Sequence, residues 1–170
     1  MGEIAVAPIE ILIKGIPETV LFILAIHIFI NLKVDYKKSF IIFFISMCVT
    51  YMTRFLPIGY VVHLLISITT WVLYFQLVYC LPLSKAGRVI LSVSAGVILI
   101  VIAEMINCYL LQVYFGPTMI DYVFSVATPL AKCLYMLPST VIFGILVLII
   151  WLILKRIRSH KKKIAESRNE

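Results

Sequence analysis

Charge is scarce in this sequence, and acid is scarcer than base. Only 14% of the residues are charged, with 8 acidic side chains against 15 lysines and arginines, while 63% are hydrophobic and the mean hydropathy is +1.11. A soluble domain is roughly 25% charged and about 45–50% apolar, so a water-exposed globular body is excluded. Catalytic signatures are absent as well. There is no HExxH, no GxSxG, no P-loop, no glycine-rich dinucleotide turn and no pair of carboxylates at a working spacing. Neither catalysis nor a cofactor is expected. The 4 cysteines, Cys48, Cys80, Cys108 and Cys133, form no CxxC pair, which argues against metal or redox chemistry. They read as inert, buried thiols, with a disulfide between Cys108 and Cys133 as the one exception. Through residue 10 there are Glu3 and Glu10 but no basic residue, unlike the positive start of a cleaved signal peptide, so the first apolar segment is expected to stay.

What fills the sequence is long apolar runs. They lie at 16–32, 40–56, 58–81, 89–111 and 138–154, each near the ~20 residues a helix needs to cross a hydrocarbon core of about 30 Å. The expected fold is all-α, a polytopic membrane helical bundle of about five transmembrane helices over 1–154, followed by a basic cytoplasmic tail at 155–170. Twelve of the 15 basic residues fall in three clusters: Lys33, Lys37 and Lys38; Lys85 and Arg88; and Lys155, Arg156, Arg158, Lys161, Lys162, Lys163 and Arg168. Lys14, Arg54 and Lys132 remain for the other side. The positive-inside bias then places the C-terminus in the cytoplasm and the N-terminus outside, in a multi-pass protein of a bacterial cytoplasmic membrane. The same placement makes the net charge of +7 an orientation signal, not a nucleic-acid footprint.

Prolines mark helix starts, because a first-turn proline sacrifices no internal hydrogen bond. Pro17, Pro57 and Pro138 each fit that position at the outer end of an inward-running span. The apolar segment 4–13, broken by Pro8 and Glu10, is expected at the outer interface or as an extension of the first helix. The stretch 115–137, with Gly116, Pro117, Asp121, Pro129 and Lys132, is expected to be an outer loop with an interfacial helix. Its competitor is a re-entrant segment over 117–133, and a sixth crossing would put the basic tail outside.

The strongest pointer to function is Glu104, since ionisable side chains inside spans are costly and mark functional sites by default. On a wheel of 100° per residue Ser92, Gly96, Ala103 and Asn107 share a face with Glu104 at its edge, a composition suited to close helix packing. With the topology above, Glu104 and Asn107 share the outer half with Arg54, His63 and Glu18. These five residues are the candidate ligand-binding or intramembrane polar cluster. Either Arg54 or His63 pairs with Glu104, or a protonated Glu104 bonds Asn107; the bland alternative is interhelical glue without a ligand. His27 shows no partner and reads as structural. Tyr79, Tyr109, Tyr114, Tyr135 and Trp151 read as interface-belt aromatics. The basic segment after Leu154 reads as a stop-transfer patch held by anionic headgroups, or as a helix that carries movement of the bundle onward.

The order of these elements resembles the N-terminal membrane-sensor region of Firmicute sensor histidine kinases with GHKL-type ATPase domains, relatives of the peptide-pheromone receptor kinases. The resemblance rests on Gly15-Ile16-Pro17-Glu18, Arg54-Phe55-Leu56-Pro57-Ile58, Glu104 with Asn107, and Lys132 through Leu137-Pro138-Ser139. It implies an outer surface that senses a peptide, lipid or envelope signal, with Glu18, Arg54 and Glu104 as its test positions. It also implies a cytoplasmic kinase or regulator as partner, and a homodimer. The sequence holds no phospho-accepting histidine domain and no ATP-binding domain, so the expectation is an isolated or truncated sensor region or a kinase-less relative. The alternatives are a vitamin-type solute-binding subunit of a transporter and an envelope scaffold. The first span lacks the small-residue ladder on which such a transporter subunit would dock, and the outer loops have few polar groups.

Overall fold

A computed structural model describes residues 11–54 and 60–166, and all its regular structure is helical. A π-helical turn, Ile11–Gly15, runs into α1 (Ile16–Ile30). There follow α2 (Tyr36–Arg54), α3 (Tyr60–Val78), a 3₁₀ turn at Leu83–Lys85, α4 (Ala86–Phe115), α5 (Thr118–Ser125) and α6 (Pro129–Glu166). Among the described residues three stretches are long and apolar enough to cross a membrane: Leu12–Ile30, Leu83–Phe115 and Leu130–His160. The described apolar part of α3, Leu65–Val78, is shorter, and α2 carries Ser46, Thr50, Thr53 and Arg54 among its apolar residues.

Local chemistry sets the joints. Asn31 adopts the left-handed conformation at the end of α1, and its N–H and that of Leu32 donate to His27 O, a closure of the last-turn carbonyls that asparagine tolerates. Asp35 then caps α2, its Oδ1 accepting from the backbone N–H of Lys37 at 3.0 Å. After α3, the Gln76 amide donates to Leu81 O at 3.0 Å and to Pro82 O at 3.3 Å, stapling the turn that feeds α4. At the far end Gly116, at φ 90°, ends α4 in a region side chains avoid.

Contacts between the helices set their directions. Lys14 meets Glu104 and Phe22 meets Gly96, equal steps in opposite senses, so α1 and α4 are antiparallel. Phe22 with Trp71 and His27 with Phe75 make α3 parallel to α1. Leu21 beside Gly144 and Ile28 against Arg158 make α6 parallel to it too. Thr19 Oγ1 donates to Met47 Sδ, and Tyr79 links Ser39 and His27, so α2 runs against α1. Five long helices therefore alternate in direction, and the described members of the three basic clusters gather at one end. The buried centre is Phe22, Ile26, Ile42, Phe75, Val89, Val93 and Phe143, while Phe40, Phe44, Leu73, Leu77, Leu91, Ile98 and Leu152 point outward. An apolar exterior on this scale is an aggregation liability in water and the natural surface in lipid.

Three expectations change here. The last long helix begins at Pro129, so Pro138 sits inside α6 and does not start it. Thr128 Oγ1 accepts from the N–H of Ala131 at 3.4 Å, which makes Thr128-Pro129 the cap and first residue of the helix. None of the 4 cysteines is in a disulfide, so Cys108 and Cys133 are not bridged, and only Cys133 is buried. The outer loop does contain a short helix, α5, but it is followed directly by α6. Pro57, the segment 4–10 and the side chains of Arg54 and His63 lie outside the described residues.

Candidate functional site

At the end away from the basic clusters, the π-helical turn carries α1 one turn beyond its expected start and brings in Lys14. Its Nζ lies 2.6 Å from Glu104 Oε1, and the two side chains are 20% and 39% exposed. Glu104 stands sixteen residues from Arg88, about 24 Å along a helix rising 1.5 Å per residue. Counted from Arg88 across a hydrocarbon core of roughly 30 Å, that depth is near the boundary away from the basic clusters, where lysine can reach the interface. Lys14 is thus a cation on Glu104 that the sequence did not single out, while the expected partners Arg54 and His63 have side chains outside the described residues. Glu18 is half-buried one turn further along α1.

Asn107, one turn beyond Glu104, is buried to 1% exposure. Its Nδ2 donates to Tyr135 O of α6 at 3.0 Å. Pro138 lies three residues further along α6; lacking an N–H, it cannot donate to Leu134 O, the carbonyl next to that of Tyr135. Asn107 thus ties α4 to α6 one turn before this proline. Ser139 Oγ donates to Met136 O at 2.7 Å in the same turn. Next to it Asn107, Leu110, Leu111, Tyr114, Phe115 and Pro138 line a small cleft of about 200 Å³ between α4 and α6. The face read from the wheel is the packed one: Ser92, Gly96, Ala103 and Asn107 are all buried.

The basic end holds a second polar network. His27 Nδ1 lies 2.7 Å from Ile23 O, and Nε2 lies 2.6 Å from Tyr79 Oη. A carbonyl only accepts, so Nδ1 carries the ring proton, the Tyr79 hydroxyl donates to Nε2, and Ser39 donates to Tyr79 at 3.3 Å. Lys38 Nζ sits 5.3 Å above the centre of the Tyr79 ring. His27 therefore has two partners where the sequence showed none, and Tyr79, expected as an interface-belt aromatic, is also a member of this network. Nearby, Arg158 Nη2 donates to Ile28 O at 2.8 Å, placing a cation on the last-turn carbonyls of α1, the negative end of its dipole.

α6 thus touches both ends of the bundle, through Tyr135 at one and Arg158 at the other. No family model, curated protein or solved structure matches the chain. Among the described residues no cluster of three or more His, Cys, Asp or Glu side chains is placed to hold a metal ion.

Sequence reasoning missed Lys14 because the first span was started at Ile16. The signal was present: 11–15 contains no residue that must interrupt a helix, and Gly15 has helical dihedrals. It also missed Arg158, since a single arginine in a basic run is not distinguishable by sequence from its neighbours.

Proposed function

We propose that the chain is a membrane-embedded signal-sensing or regulatory module without enzyme activity, which reads a peptide, lipid or envelope signal at its outer end and passes it along α6. In this reading all five long helices cross the bacterial cytoplasmic membrane, with the N-terminus outside and the C-terminus in the cytoplasm. The alternation of directions and the collection of basic residues at one end support it, in accord with the positive-inside bias.

The observation that carries the reading is the reach of α6. One helix of 38 residues, about 57 Å at 1.5 Å per residue, touches the outer site through Tyr135 and the inner end through Arg158, and continues past the core. A ligand that separates Lys14 from Glu104, or moves Asn107 off Tyr135, acts on that helix beside Pro138. A proline inside a helix is a site where it can bend. Movement there changes the angle at which the basic segment leaves the membrane. The resemblance to the sensor regions of GHKL-type histidine kinases agrees with this reading, and a cytoplasmic kinase or regulator is the partner it calls for.

Titration of envelope peptides and lipids against the protein in nanodiscs, read by tryptophan fluorescence, tests the proposal. Trp71 packs on Phe22 at 4.8 Å and Trp151 lies at the inner exit, so both helices report. A ligand whose affinity drops roughly tenfold or more in Glu104→Gln and Lys14→Met, about 1.4 kcal/mol, is the expected outcome. If no peptide or lipid binds, or both variants bind and respond like the parent, sensing at this site is wrong.

A further inference from the structure

The cations where α6 leaves its apolar stretch divide into two sets. Arg158 lies on the buried side of the helix, about three turns beyond Val147, and is bonded to Ile28 O. Lys155, Arg156, Ser159 and His160 lie on the other side, away from buried Phe143 and Val147. With Leu152 they line a shallow, open recess along one face of this single helix.

Three features specify what this recess fits. Its donors are two permanent cations, a hydroxyl and an imidazole, which suit the acceptor oxygens of a phosphate. No ion pair among the described residues involves Lys155 or Arg156. Lys155 lies 4.9 Å above the Trp151 ring, a contact that leaves the ammonium's hydrogen bonds available. Finally, the recess adjoins Leu152 and Ile153, each about half exposed on a stretch apolar enough to cross a membrane. Phosphate donors directly beside lipid-facing side chains match a molecule in which phosphate and acyl chain are joined.

We propose that Lys155, Arg156, Ser159 and His160 form a binding site for the phosphodiester headgroup of an anionic phospholipid. The site uses the face of α6 that the bundle leaves open, while Arg158 ties the opposite face to α1. It rests on α6 crossing the bilayer, not on the sensing reading, and holds whichever signal the outer end takes.

The test is native mass spectrometry of the whole chain released from nanodiscs of phosphatidylcholine with phosphatidylglycerol. The protein is expected to retain phosphatidylglycerol over phosphatidylcholine. Lys155→Gln with Arg156→Gln should weaken retention roughly 25-fold, a factor of about five per cation. Lys161→Gln with Lys162→Gln removes the same charge further along the segment and should have a much smaller effect. Equal losses in the two double variants would mean diffuse attraction and overturn the site, as would equal retention of the two lipids. Millimolar inorganic phosphate displacing the lipid completely would make the site one for soluble phosphate and overturn the lipid assignment. Circular dichroism of both double variants checks that the bundle is intact.

Discussion

Single atoms decide several contacts in this bundle. A Cβ built on Gly96 would lie 2.6 Å from Phe22 Cε2, so α1 and α4 approach as closely as they do only because position 96 has no side chain. Gly96→Leu should destabilise by about 1–3 kcal/mol or more through overpacking, seen as a lower melting temperature in detergent. An unchanged melting temperature would mean that Phe22 swings away freely. His27→Leu removes both bonds of the imidazole and leaves the Tyr79 hydroxyl without its acceptor. A loss of about 1–3 kcal/mol is expected, the cost of stranding a buried polar group. Tyr79→Phe in the same background should then cost little more, because the two residues act as one network; additive losses would contradict that coupling.

At the scale of helices, α6 depends on its neighbours on either side of Pro138. Asn107→Leu removes the donor that α4 offers to Tyr135 O, at an expected cost of about 1 kcal/mol, the ordinary size of an interhelical hydrogen bond in a membrane. The more telling readout is geometric. Spin labels at Val34 and Ser159, in a chain whose 4 native cysteines are replaced, report the distance between the α1–α2 joint and α6. Arg158→Gln should broaden that distribution by releasing the contact with Ile28 O. Identical distributions would show that packing alone holds the helix. Both variants act on one element from its two ends, so their effects on signalling should be related if α6 is the transmitting part.

For the molecule as a whole, the decisive property is sidedness. Reporter fusions after residue 10 and after Glu170 should fall in opposite compartments, with the second cytoplasmic. Finding both termini on one side would remove the five-crossing arrangement and with it the outer placement of Lys14, Glu104 and Asn107. Small molecules co-purifying with the protein discriminate between the main alternatives. A stoichiometric vitamin would favour a solute-binding subunit, whereas a bound peptide or lipid fits the sensing module.

The linear order of residues was enough to settle the solvent and the class of fold. Apolar runs of spanning length, with twelve of the 15 basic residues clustered at their joints or after the last of them, point to lipid as the solvent. The packed face of α4 was legible too, since Ser92, Gly96, Ala103 and Asn107 recur at helical spacing. What sequence could not assign was partnership between helices distant in the chain. Glu104 takes Lys14 because a π-helical turn lengthens α1. His27 takes Tyr79 because α1 and α3 run parallel, and Arg158 takes Ile28 because α6 runs unbroken through Pro138. Local patterns specify where a helix forms and which side it buries, but a contact across ninety residues depends on register and direction, and these exist only once the helices have packed.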